Sequence, residues 1–266
     1  MPQRTLIDIG SRRLAYTSIG SGAPAVVFES GSECDGDSLA ELARAAGNFT
    51  RAIIYDRAGL GQSDPAPRPR TTRDAAADLA ALLRAIALPA PYIIVAHSFG
   101  GLIARLHASA HPNDVAGMVL LDTPHPELPL RELQNTPAPT PGEPAALAAF
   151  RENARAEWSN PAHNAEGFDW AASARQFPPG EHYGAMPLVV ITAGIDEWDE
   201  GFPPEVARAQ EEAWMSAQRA MLGLSRAGRQ IIAAESNHSI QDYQPELVIA
   251  VVRELVEGMI PSSGKH

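Results

Sequence analysis

Thiols and amines are almost missing from this chain. Its one cysteine, Cys34, excludes an intrachain disulfide framework and any cluster of thiolate metal ligands. The acidic neighbours Glu33, Asp35 and Asp37 also argue against an activated thiol there. The one lysine, Lys265, sits in the tail and leaves no Schiff-base amine inside a fold. No run of about 18 apolar residues occurs, and the first ten residues carry Arg4 and Asp8 without the apolar stretch of a secretory leader. The expectation is a soluble, cytoplasmic protein. Positive charge is scarce as well: Lys+Arg 21 against Asp+Glu 32 gives a net charge of −11, which repels phosphate backbones and anionic headgroups. Nucleic acid and membrane are therefore not expected partners, and a small molecule is.

What is present is enough apolar material, 45% of 266 residues, to bury one sizeable core. Short Val- and Ile-rich runs at 25–29, 51–55, 91–96, 117–121, 187–192 and 229–234 read as strands, preceded by a hairpin of 5–9 and 13–17. Helical periodicity falls between them at 38–46, 72–87, 99–111, 205–222 and 245–258. This alternation predicts an α/β fold with a mostly parallel eight-stranded sheet flanked by helices. The alternation breaks at 124–186. Seven prolines among residues 124–144 exclude regular helix there, a helical piece follows at 145–158, and Trp158, Phe168, Trp170 and Phe177 come next. An inserted cap between the sixth and seventh strands is expected, with the core made of 1–123 and 187–260 and a loose tail at 261–266.

The sharpest local signal is Val95-Ala96-His97-Ser98-Phe99-Gly100-Gly101, in which a buried strand passes through a tight turn into a helix. Small flanking residues let such a turn lift a serine hydroxyl above the sheet edge, and the helix start aims free N–H groups at any charge that develops there. Here the chain resembles the α/β-hydrolase superfamily, over almost its whole length. Two further stretches share the resemblance: Asp56-Arg57-Ala58-Gly59-Leu60-Gly61-Gln62-Ser63, read as turn geometry, and Phe28-Glu29-Ser30-Gly31-Ser32, similar to the strand end that supplies an oxyanion donor. In the latter, Ser30 stands where that superfamily often has His.

The resemblance implies a serine nucleophile, Ser98, and a histidine base late in the chain. His238, after the last strand, fits that order, with Asn237 in the left-handed turn where Gly is usual. His97 reads as structural, His107 and His111 lie on the next helix, and His125, His163 and His182 fall in the insertion. The orienting acid is left open between Asp122, at the end of the sixth strand, and Asp196, after the seventh, with Glu197 a third possibility. The N–H groups of Ser32 and Phe99 are the oxyanion-hole candidates, and Trp158, Phe168 and Trp170 the substrate contacts. No cofactor and no metal is implied. The expected activity is cleavage of a small carboxylic ester or lactone. Amidase, aminopeptidase or carbon–carbon hydrolase chemistry, a cofactor-free oxygenase and a slow ligand sensor stand as alternatives.

Overall fold

The computed structural model describes residues 4–195, 198 and 201–260. Among these, eight strands form one sheet: β1 (Thr5–Asp8), β2 (Arg13–Ile19), β3 (Val26–Glu29), β4 (Ala52–Tyr55), β5 (Tyr92–His97), β6 (Val115–Leu121), β7 (Leu188–Ala193) and β8 (Gly228–Ala233). Their spatial order is β1-β2-β4-β3-β5-β6-β7-β8. The pairings of β2 with β1 and β4 are antiparallel, and every other pairing is parallel. The central strands are buried on both faces, which explains their unbroken Val and Ile runs.

Helices cover both faces. Along β5, Ile94 and Ala96 join a core with α2 (Thr72–Ala85) and α3 (Gly100–Ala110), while Ile93 and Val95 face α1 (Ala40–Ala46) and α9 (Pro245–Met259). The period-two alternation of side chains across a strand produces this division. α2 begins at a capping box: Thr71 accepts from Asp74 N–H while the Asp74 carboxylate accepts from Thr71 N–H.

Between β6 and β7 lie α4 (Leu128–Asn135), α5 (Ala145–Ser159) and α6 (Trp170–Ala174). α4 corrects the expectation that the proline-rich run holds no helix. Pro129 occupies the first turn, where a backbone N–H has no intrahelical acceptor to lose, and the next proline, Pro137, lies beyond the helix end. The segment is stitched to the core by a short bridge in which Arg70 N–H donates to the Gly167 carbonyl (2.9 Å) and Asp169 N–H to the Arg70 carbonyl (2.8 Å). α7 (Pro204–Ala220) and α8 (Ile240–Tyr243) complete the order. Among the described residues, no helix is long and apolar enough to cross a membrane.

Candidate active site

The strand order sets the site. Because β3, β5, β6, β7 and β8 are consecutive neighbours, the loops leaving their C-terminal ends line one edge of the sheet, where open α/β sheets form their crevices. Ser98 follows β5, Asp122 follows β6, and His238 lies in the loop after β8.

Ser98 has φ of 50°, a conformation that costs a non-glycine residue about 1–3 kcal/mol and is held here by the surrounding structure. Its N–H donates to the Leu121 carbonyl at 2.9 Å, tying the turn to β6. The close approach also demands glycine at the start of α3: a Cβ on Gly100 would lie 2.4 Å from the Ser30 carbonyl oxygen. His238 Nε2 lies 2.9 Å from Ser98 Oγ, and His238 Nδ1 lies 2.8 Å from Asp122 Oδ2.

Asp122 is 2% exposed, also with positive φ (44°), and its N–H donates to the Ile191 carbonyl of β7 at 2.8 Å. Its second oxygen, Oδ1, accepts from Ala193 N–H (3.1 Å) and from Trp214 Nε1 (3.0 Å). Three donors or ring nitrogens thus converge on one buried carboxylate, which fixes the face it offers to the imidazole. β7 contributes an N–H to this arrangement. The other acid candidates, Asp196 and Glu197, lie outside the described residues.

The loop that carries His238 is braced from below. His97 Nε2 lies 2.9 Å from the His238 carbonyl, which can only accept, so this nitrogen carries the proton. Burial, and then the positive charge of a protonated His238, push His97 down to about 4. It therefore remains neutral at physiological pH. Asn237 is not in the left-handed turn expected of it. Its side chain does the work instead, with Oδ1 accepting Ser239 N–H at 3.0 Å. Trp214 stacks edge-on to the His238 ring at 5.9 Å.

Ser32 N–H and Phe99 N–H have no protein acceptor among the described residues. The Ser32 and Ser98 side chains border the same cavity of about 490 Å³, together with Cys34, His97, His238 and Gln241. Cys34 is half-buried there, and burial raises its thiol pKa. On the other side of His238, Asp122, Trp198 and Trp214 line a second cavity of about 300 Å³.

The three aromatic residues expected to meet substrate are elsewhere. Phe168 and Trp170 are 1% and 7% exposed and pack around the Phe99 side chain at ring distances of 4.6 and 5.2 Å, with half-buried Trp158 against the same core. Phe168 and Trp170 back the serine turn, where the bridge from Arg70 to Phe168 draws the chain into the core, and none of the three residues borders either cavity. Four other histidines have polar partners of their own. His107 pairs with Tyr92 Oη at 2.7 Å, His163 with Asn153 Oδ1 at 2.8 Å, and His125 and His182 accept N–H groups of their own loops.

Comparison with known proteins agrees with this architecture. The model of the alpha/beta hydrolase family matches residues 20–251. The chain belongs to the alpha/beta hydrolase family. The chain is 30% identical to the Bacillus subtilis protein YqjL, covering 86% of this chain and 82% of that one. Among solved structures, a thermophilic esterase from Thermogutta terrifontis superposes with a TM-score of 0.65 at 20% identity, over 96% of this chain and 98% of the esterase. Est816, described as an N-acyl homoserine lactone degrading enzyme, gives 0.63 at 15% identity over 94% and 99%. For this hydrolase, sequence reasoning missed Trp214 altogether. A tryptophan on a helix remote in sequence carries no local mark of the carboxylate it reaches.

Proposed function

We propose that this protein is a serine hydrolase that cleaves a small carboxylic ester or lactone through an acyl-enzyme on Ser98. The observation that carries this reading is the continuous path Asp122–His238–Ser98, with contacts of 2.8 and 2.9 Å. A serine hydroxyl needs a neighbour to take its proton, and a histidine whose other nitrogen is held by a carboxylate is suited to do so. In the first step Ser98 Oγ bonds to the carbonyl carbon and its proton passes to His238 Nε2. The C–O bond then breaks, and the leaving alcohol takes that proton. Water, deprotonated by His238, attacks the acyl carbon, and Ser98 leaves with its proton restored. The negative oxygen of each tetrahedral intermediate accepts from Ser32 N–H and Phe99 N–H.

The ester and lactone classes draw support from the Thermogutta esterase and from Est816, whose chains share this fold. Residues 124–186 act as a cap over the strand ends. The aromatic surface available to an acyl or alcohol group is that of Trp198 and Trp214, in place of Phe168 and Trp170. Labelling with a fluorophosphonate, followed by mass spectrometry and a short-chain ester assay, tests the reading. The expected result is one adduct on Ser98, with label and hydrolysis both lost in Ser98→Ala. Hydrolysis that survives the substitution would overturn it.

A further inference from the structure

The turn at residues 30–33, which carries the Ser32 N–H, has no regular element to hold it, yet it is gripped from two sides. On one side is the serine turn: a Cβ on Gly31 would lie 2.9 Å from His97 Nδ1 and 3.5 Å from Ser98 Cβ. On the other is Arg57, 3% exposed. Its Nη1 donates to the Ser30 carbonyl at 2.6 Å and its Nη2 to the Gly31 carbonyl at 2.5 Å. The same guanidinium donates to Glu166 through Nε (2.8 Å) and Nη2 (2.7 Å), and to Glu29 Oε1 at 3.0 Å. Glu166 Oε1 in turn accepts the Glu33 N–H at 2.8 Å, and the Tyr55 hydroxyl closes on the other oxygen of Glu29.

All five guanidinium donors are therefore used, and two carbonyls and one N–H of the turn are tied to a single ion pair. Glu29 and Glu166 side chains are fully buried. Burying two carboxylates and one guanidinium is a poor way to gain stability, so a cluster of this kind calls for a positional explanation. One is at hand: the turn it fixes holds a group whose position within a fraction of an ångström decides transition-state binding.

We propose that Arg57, locked by the Glu166 carboxylate of the inserted segment, is the positioning residue that aims the Ser32 N–H at the oxyanion. This rests on the serine-hydrolase reading. It makes the inserted segment part of the catalytic geometry, because Glu166 reaches the turn from between β6 and β7. Lysine cannot substitute, since a single ammonium on a flexible stem lacks the planar fork that spans two carbonyls and two carboxylates.

The test uses the full-length protein, Arg57→Lys and Glu166→Gln, each checked by thermal melting and by Ser98 labelling with a fluorophosphonate. Both variants are expected to lose kcat by about 10- to 100-fold while KM changes less than about 3-fold, as for a weakened oxyanion donor. The affinity for a phenylboronic acid, which forms a tetrahedral adduct on the serine, should fall in parallel with kcat. A merely structural role would lower the melting temperature without that parallel. If Arg57→Lys does not fold, Glu166→Gln, which removes the charge and keeps the shape, decides. Folded variants with unchanged kcat and boronate affinity overturn this proposal and leave the serine-hydrolase reading standing. A wild-type protein that neither labels at Ser98 nor hydrolyses esters overturns both.

Discussion

The demands on single residues are most severe where backbone strain and hydrogen bonding coincide. Ser98 and Asp122 both have positive φ, at the ends of adjacent strands, and their N–H groups each donate across to the next strand. Asp122 has no spare freedom: one oxygen faces His238 Nδ1, and the other takes two N–H donors. Asp122→Asn places an NH₂ opposite either the imidazole or those donors, so the wrong tautomer or a broken contact follows. Steady-state ester hydrolysis should show kcat lowered by about 10³- to 10⁴-fold with the protein still folded. Trp214→Phe removes one donor to the same carboxylate and preserves the ring. A roughly 10-fold loss of kcat is expected, as for one hydrogen bond to a charged group, and an unaltered kcat would mean that the indole only fills space. The serine turn at Ser98 and the histidine loop at His238, which the fold brings to 2.9 Å of each other, were readable because a strand–turn–helix serine and a histidine after the last strand have local marks. Trp214 and Arg57 were not, since their partners are distant in sequence.

At the scale of elements, the segment between β6 and β7 is where reading by composition failed. Proline density at 124–144 predicts irregular chain, yet α4 forms because one proline sits in its first turn and the next comes after its end. The aromatic cluster predicted to face substrate instead backs Phe99, and this changes what a substitution there should do. Phe168→Ala should cost about 3–5 kcal/mol in urea unfolding, as a large buried ring is lost. A rise in KM with little loss of stability would return Phe168 to the role of substrate contact. The expected helices at 99–111 and 145–158 form as α3 and α5 with no side-chain cap, whereas α2 combines a periodic apolar face with a local start signal. Thr71→Ala should destabilise α2 by about 1 kcal/mol, measurable as a shift in the urea midpoint.

For the molecule as a whole, buried titratable groups set the pH range in which it is stable. Burial, ahead of nearby positive charge, pushes His97, His107 and His125 down to about 4. Between about pH 6.5 and 4 the unfolded chain takes up protons that the folded chain refuses, so stability falls as pH drops through that window, by up to about 3 kcal/mol for each of His97 and His107. Glu132 acts in the opposite sense. Burial and then Glu157 push it up to about 8, so the folded chain keeps a proton that the unfolded chain has released, and stability is lost as pH rises from about 4.5 towards 8. Melting temperatures from pH 4 to 9 should therefore pass through a maximum. His107→Gln should flatten the acid limb and Glu132→Gln the alkaline one, and limbs of unchanged slope would remove these groups as the cause. The layered architecture and the places of Ser98 after a central strand and His238 after the last one were legible in the linear chain, because hydrophobic period and turn chemistry are local properties. The choice of Asp122 as the carboxylate at His238, the packing of Phe168 against Phe99 and the meeting of Arg57 with Glu166 required the folded molecule. Each depends on which strand ends become neighbours, and that is set by the β3-β5-β6-β7-β8 order of the sheet, a non-local outcome of packing that no window of sequence contains.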